Sequence, residues 1–358
     1  MATSFGLLNS FDNDYQYVNT VGTGVVYDAI VKILADYNAE QAEMLRVFVG
    51  RRTANHQERF YAPIGGEMQT MGRQAEAGAV KRSGSWDVAY PLTQIGDQLA
   101  GDRVDTGYMT AGQLEAHLMS IMTRDANSVR RDMLAAIFYN QARAFLDFEW
   151  GNLAIQPLAN GDATIYPQVI GAVAGAVDNH YLTAAALNAA AMNAAYGDLI
   201  EHFGQKQSGD NVICFANSAN IATIAALAGY TADIDRYLGP VSVAISGLRT
   251  IPYAPGITVG RWNSVWVNSW DWIPANYMVF IHLDYPGPLS MREDPAGTGL
   301  GTGLQLVSTD EEHPIWKKHF EHRYGFGVTD RLNGVVLQIT AGAYAVPAIY
   351  NFFRYCAA

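Results

Sequence analysis

The chain has 358 residues, 49 % of them apolar, and a formal net charge of −11. It is long enough for a sizeable core and two domains. Acidity of that size excludes a protein that wraps nucleic acid over its whole surface, though not an acidic shell enclosing one. Only 16 % of residues are charged, against about 25 % in an average globular chain. The 20 Tyr, 14 Phe and 7 Trp suit a surface committed to protein contacts, and an aromatic-rich core accounts for the same composition. Two cysteines, Cys214 and Cys356, exclude a disulfide scaffold and a cysteine-based metal site. The opening residues show no basic leader with an apolar core, so synthesis in the cytosol is expected.

Residues 1 to about 26 lack periodicity and read as an extended arm. Over 27–49 a weak helical face follows, marked by Ile30, Ile33, Leu34, Tyr37, Ala42, Leu45 and Phe48. The stretch 50–101 then reverses the sign of the chain: Arg51, Arg52, Arg59, Arg73, Lys81 and Arg82 outnumber the acids around them. Two β-like arms, near Arg59-Phe60-Tyr61 and near Trp86, flank a glycine-rich middle. An isolated two-stranded excursion has little core of its own and needs something to lie on. The stretch reads first as an intersubunit strap with those six residues as its anchors. A ligand or membrane flap and plain disorder are the alternatives.

The longest periodic run covers 110–147. Thr110 and Gln113 have the spacing of a capping box, and Leu114, Leu118, Ile121, Met122, Val129, Met133 and Ile137 form one face. No proline interrupts it and Gly151 follows, predicting a spine helix roughly 55 Å long. Its flank of Arg124, Asp125, Arg130, Arg131 and Asp132 excludes a membrane span. Met133 and Ile137 are expected to sit between this helix and a sheet containing 335–339. Residues 151–177 read as loop and short strand. Thr183 is placed to cap a helix carrying Leu187, Ala191 and Leu199 and ending at Gly204. A strand over 212–215, a helix over 219–228 closed by Gly229, and strands over 241–251, 258–268 and 277–283 complete a mixed α/β module. Residues 286–314 are loop-rich, 317–326 are aromatic and basic, and 335–339 form a strand.

Candidate sites are few. The glycines of 297–303 lack the following helix and Lys-Ser/Thr pair of a phosphate loop, so they read as a loop. His319 and His322, with His313 nearby, have an i, i+3 spacing that puts two imidazoles on one helix face, but no HExxH motif accompanies them. No G-x-S-x-G elbow or cysteine-protease signature appears, and Glu311 and Glu312 as strand neighbours point oppositely. No catalytic residue, metal ligand or cofactor is therefore assigned. Trp262, Trp266, Trp270 and Trp272 read as sheet-edge or interface packing in preference to a sugar- or base-stacking platform.

The order of these pieces resembles the major capsid proteins of tailed bacteriophages, whose HK97-like fold is shared with encapsulins. The resemblance rests on the arm, the Gly/Arg-rich excursion and the spine helix. It continues in VICFANSANIATIAALAGY (212–230), VWVNSWDWIPANYMVFIH (265–282) and RYGFGVTDRLNGVVLQITAG (323–342). It implies an α+β fold with an N-terminal arm and helix (1–49), an extended E-loop hairpin (50–101), a peripheral domain carrying the spine (102–180 and 286–358) and an α/β axial domain (181–285). The late strand 332–340 would return to the peripheral domain. It implies hexamers and pentamers of one chain closing an icosahedral shell around double-stranded DNA, in a virion assembled in a bacterial cytoplasm. Portal and decoration proteins are partners of that family. The early start of the spine leaves no room for a large prodomain, so a separate scaffolding protein is expected. Contact with DNA would be local and without sequence preference. No membrane partner is implied. An encapsulin-like cargo compartment, and an aromatic-rich enzyme or carbohydrate-binding protein, are the competing expectations.

Overall fold

The computed structural model describes residues 17–61, 71, 73, 85–166, 177–201, 211–232, 254–310 and 315–351. The arm up to residue 16, the strand expected over 241–251, the helix stop at Gly204 and the tail from 352 lie outside these residues. So do Lys81, Arg82, Glu311, Glu312, His313 and Cys356.

From its described start the chain is helical where an extended arm was expected. A short α1 (Val18–Val21) meets α2 (Thr23–Leu45) across Gly22, whose φ of +96° favours glycine. Ile30, Ile33, Leu34 and Tyr37 of α2 are buried, as their spacing predicts. Strands β1 (Val49–Thr53), β2 (Gln57–Tyr61), β3 (Ser85–Ala89) and β4 (Thr93–Asp102) follow, then α3 (Arg103–Tyr108) and α4 (Ala111–Phe138).

The spine helix is α4. Its capping box is formed: the Gln113 N–H donates to Thr110 Oγ1 at 3.3 Å and the Thr110 N–H to Gln113 Oε1 at 3.0 Å. Every residue of the predicted face is buried. The helix nevertheless has 28 residues, about 42 Å, and stops well before 147. Tyr139 is already extended, with ψ of 117°. Residues 143–147 change period from about 3.6 to 2, with Phe145 and Asp147 inward and Ala144 and Leu146 outward. They form β5 (Arg143–Asp147), antiparallel to β6 (Gly151–Ile155). Gly151, expected to stop the helix, has φ +74° just after the hairpin turn.

Beyond it lie β7 (Tyr181–Ala184), α5 (Ala189–Ile200), β8 (Val212–Ala216), α6 (Ser218–Ala225) and β9 (Tyr230–Ala232). Asn188, not Thr183, caps α5 through its side chain; Thr183 is already paired in β7. The single strand expected over 258–268 is a hairpin of β10 (Ile257–Trp262) and β11 (Val265–Ser269), turning at Asn263 with φ +50°. After β12 (Tyr277–His282), the stretch expected to be loop-rich contains β13 (Leu289–Arg292) and β14 (Gln305–Asp310). The glycines between them lie in loop, as expected. The chain continues with β15 (Ile315–Val328) and β16 (Val335–Ile339).

A seven-stranded sheet runs β7-β16-β12-β8-β11-β10-β9. Strand β16, expected to return to the spine's own domain, instead joins this sheet, parallel to β7 and antiparallel to β12. The sheet is covered on both faces. Ile213, Phe215, Val279, Ile281 and Val336 face the second half of α4, including Met133 and Ile137. Cys214, Met278, Phe280 and Leu337 face α5. Two-sided burial explains why every residue of β8 and β12 is buried, without the alternation of a half-exposed strand. A five-stranded sheet joins β1-β13-β15-β14, with β4 also on β15. Here α2, the first half of α4 and Phe320 of β15 share a core.

Being strand residues three apart, His319 and His322 do not share a face. His322 is buried, its Nδ1 2.8 Å from Asp125 Oδ1, while Tyr37 donates to Asp125 Oδ2 at 2.8 Å. The pair ties α2, α4 and β15 together. Among the described residues no group of three or more metal-ligating side chains converges, and no helix is long and apolar enough to cross a membrane.

Candidate functional site

Of the six candidate residues, the structure places Arg59 on a two-stranded ribbon, and Arg51 and Arg52 on β1, which pairs with β13 in the five-stranded sheet. Strands β2 and β3 pair with each other and, among the described residues, with no other strand. Arg59 stands opposite Asp87 in this antiparallel register, and Phe60 opposite Trp86. Arg59 donates twice to the Asp87 carboxylate, at 2.5 and 2.8 Å, and the Phe60 and Trp86 rings stack with centroids 6.0 Å apart. Such cross-strand pairs are what a ribbon without a sheet beneath it has to stabilise it.

Where β2 begins and β3 ends, the ribbon enters the body. Val88, Ala89 and Tyr90 are buried, and Ala89 packs with Phe145, Leu153 and Ile155 of the β5–β6 hairpin. Trp86 meets Tyr166 with ring centroids 5.9 Å apart. Glycines let this junction cross β15: a Cβ at Gly325 would collide with the Pro91 carbonyl, and one at Gly327 with the Tyr90 ring.

Charges fix the same junction. Arg51 pairs with Glu58, which also accepts from Asn55 and Tyr90. Burial works to raise the Glu58 pKa, but the Asn55 and Arg51 hydrogen bonds outweigh it and hold the carboxyl below its usual range. Arg52 donates to Glu293 at 2.8 Å. Behind them lies a fully enclosed pair, Arg292 and Asp147 at 2.8 Å, with Arg292 also donating to the Tyr90 carbonyl at 2.9 Å. Arg51, Arg52 and Arg59 thus each have a carboxylate partner within the chain, Arg73 is exposed, and Lys81 and Arg82 lie outside the described residues.

Two features at this junction and beyond it escaped the sequence reading. The β5–β6 turn holds Leu146, Phe148 and Trp150 in solvent, Phe148 being 81 % exposed. Asp147 builds that turn by accepting the Glu149 and Trp150 backbone N–H groups at 2.9 and 3.1 Å. The signal was present: Leu-Asp-Phe-Glu-Trp alternates with period two, but it was absorbed into the spine. At the other end of α4, a groove of about 340 Å³ opens between α2 and the edge strand β14. The tryptophans form no stacking platform: Trp262, Trp266 and Trp270 are buried, and Trp262 Nε1 donates to the Ala228 carbonyl at 3.0 Å.

No protein-family model matches the chain, and no curated protein does. Solved structures do. One from Mycobacterium phage Patience is similar with a TM-score of 0.68 and 19 % identity, over 94 % of this chain and 93 % of that one. The capsid of a native GTA particle is similar at 0.48, with 14 % identity over 84 % of this chain and 91 % of that one. A holo-SrpI encapsulin complex from Synechococcus elongatus PCC 7942 is similar at 0.42, with 9 % identity over 87 % and 90 %. The fold assignment rests on the first of these. The chain has an α+β fold of the HK97-like class.

Proposed function

We propose that this chain is the major capsid protein of a tailed bacteriophage, self-assembling as hexamers and pentamers into an icosahedral shell around double-stranded DNA. The observation that carries the proposal is the likeness to the phage structure over nearly the whole of both chains. The order of elements in the sequence supports it independently. So does the β2–β3 ribbon, which joins no larger sheet among the described residues. On this reading 50–101 is the E-loop and 1–49 the arm and helix; 102–180 with 286–358, apart from β16, form the peripheral domain, and 181–285 forms the axial domain, whose sheet β16 completes. The shell takes a separate scaffolding protein, a portal and, in some particles, a decoration protein. It assembles in the host cytoplasm. Contact with DNA is made by scattered basic side chains and is weak, salt-dependent and indifferent to sequence.

The test is expression of the chain alone and with a candidate scaffold, followed by sedimentation and negative-stain imaging. Closed particles of megadalton mass are expected. A species that stays at one or two copies under both conditions rejects the proposal. Particles loaded with an enzyme and free of DNA in the native source reject the phage assignment in favour of a cargo compartment.

A further inference from the structure

We infer that Asp178 and His180 share a buried proton which latches the segment 157–166 to the head of β16, and that raising the pH removes the proton and unlocks the segment. The inference stands whether or not the chain self-assembles.

The geometry leaves the His180 ring no lone pair to spare. His180, just before β7, is 0 % exposed. Its Nδ1 lies 2.8 Å from the Gly334 carbonyl oxygen, and its Nε2 lies 2.5 Å from Asp178 Oδ2. A carbonyl and an ionised carboxylate only accept, whereas a neutral imidazole offers one N–H and one lone pair. A neutral ring beside an ionised Asp178 would therefore turn its lone pair on an acceptor, in an enclosed site where such a mismatch is costly. One extra proton resolves the conflict. On the ring, it makes both nitrogens donors. On Asp178, it lets the carboxyl donate to Nε2 while the Nδ1–H serves Gly334. In either place it belongs to the pair.

The neighbouring groups leave this proton to the pair. Arg331 donates to Asp162 at 2.8 Å and to the Pro157 carbonyl at 2.9 Å. Burial works to raise the Asp162 pKa, but the hydrogen bonds from Arg331 and Thr164 outweigh it and hold the carboxyl below its usual range. Burial pushes the Tyr166 hydroxyl up, out of the range in which it would titrate. On the strand side, Asp330 accepts the Leu332 and Asn333 N–H groups, and His282 of β12 accepts the Asp284 N–H at Nδ1. Tyr181 donates its hydroxyl to the Ile137 and Tyr139 carbonyls. The stretch 167–176 carries no titratable side chain. With the extra proton the pair is electrically neutral, as burial favours.

Main-chain bonds converge on the same point. The His180 N–H donates to the Ala159 carbonyl at 2.8 Å, the Gly161 N–H to the Asp178 carbonyl at 2.7 Å, and the Val336 N–H to the His180 carbonyl at 2.8 Å. The ring thus sits where 157–166, 178–181 and 330–336 cross. Tyr166, against which Trp86 of the ribbon packs, belongs to the first of these segments, so the seat of the ribbon rides on the crossing.

In the unfolded chain histidine titrates near 6.5 and aspartate near 3.9. Above about pH 6.5 the folded pair therefore holds a proton that the unfolded chain does not. The stability it supplies is fully present below that pH and falls as the pH rises.

The experiment follows urea unfolding of the free subunit across about pH 7–8, in the parent and in Asp178→Asn. The asparagine amide donates to Nε2 of a neutral ring, so the variant satisfies both nitrogens without an extra proton. The parent's unfolding constant should rise about tenfold per pH unit relative to the variant's, the signature of one linked proton. Amide exchange at Ala159 and Gly161, corrected for its intrinsic rate, should quicken with pH in the parent and not in the variant. Parallel pH profiles, or protection at both amides that does not change, would overturn the latch. Should Asp178→Asn not fold, the parent decides: unfolded by urea at about pH 8 with an indicator dye present, it should release about one proton per chain. No release would overturn the shared proton.

Discussion

Replacing Asp147 by asparagine tests how the ribbon and the hairpin are joined to the body. The side chains of Asp147 and Arg292 are 0 % and 5 % exposed. One carboxylate oxygen accepts the two turn N–H groups, and the other accepts from Arg292. The amide keeps the volume and an acceptor for the turn, but leaves a buried guanidinium charge with only the Tyr90 carbonyl, at 2.9 Å. Breaking one side of a buried ion pair destabilises by about 3–5 kcal/mol. Equilibrium urea unfolding of the free subunit should show a loss of that order. Asp147→Asn combined with Arg292→Met should lose less than Asp147→Asn alone, because no unpaired charge remains. A single-variant loss below about 1 kcal/mol would show that water reaches the pair and that the junction is held by packing instead.

The same carboxylate has a pH signature. Burial tends to raise its pKa, but the Glu149 and Trp150 N–H groups and the Arg292 guanidinium together hold it below the usual range. A group with a depressed folded-state pKa stabilises fully above its unfolded value, about 3.9 for aspartate, and loses that contribution as pH falls through the folded value. The parent subunit should therefore show an acid limb below about pH 4 that is flatter in Asp147→Asn.

Three other perturbations test the frame around this junction. Ile137 is fully buried between α4 and the seven-stranded sheet, so Ile137→Ala should cost about 2–5 kcal/mol in urea unfolding, and a parental midpoint would place that face outside the core. Thr110→Ala removes one half of the capping box and should cost about 0.5–2 kcal/mol; no change in the melting curve would mean that Gln113 alone caps the helix. Deleting 65–78 from the ribbon should leave the circular dichroism of the free subunit unchanged but give few or salt-sensitive particles. Shells of parental salt and heat resistance would reject the strap.

Legibility in the sequence followed the range of the interactions concerned. The capping box and the apolar stripe of α4 were readable because both are set by residues three or four apart. The end of α4 was not, because nothing local forbids helix over 139–147. At its end the carbonyls of Ile137, Phe138 and Tyr139 accept from the hydroxyls of Tyr181 and Tyr344, and beyond it Asp147 meets Arg292, all of them distant in sequence. The histidines failed for a related reason: i, i+3 spacing signals a shared face only on a helix, and the assignment of 315–328 to a strand comes from pairing with β4 and β14. The chain's path into β16 shows the same limit. An apolar VVLQI segment announces a buried strand, whereas its sheet is decided by β7 and β12. Of the candidate site, the arms of the ribbon were visible in their aromatic and basic residues, and the hairpin tip beside them was hidden inside the overlong helix.

The arginines of 51–59 alter how the strap is best understood: Arg59 lies on the ribbon, Arg51 and Arg52 on β1 of the five-stranded sheet. The reversal of charge sign over 50–101 suggested residues held in reserve for a neighbour, yet Arg51, Arg52 and Arg59 are engaged within the chain. Their side chains remain 47, 44 and 59 % exposed. A guanidinium has five donors, and Arg59 uses two of them on Asp87. Each can therefore hold its own carboxylate and still meet an acceptor on another copy. A ribbon already held in shape loses less conformational freedom on docking, and the Arg59–Asp87 pair joins its two strands in the free subunit. Arg59 thus acts on the ribbon's own geometry, and Arg51 and Arg52 act at its junction with the body. High salt should accordingly loosen the free ribbon, measured by proteolysis within 57–89, at the same ionic strengths that weaken the shell. Were shells to weaken while the free ribbon stayed resistant, the arginines would be intersubunit anchors alone, as their sequence first implied.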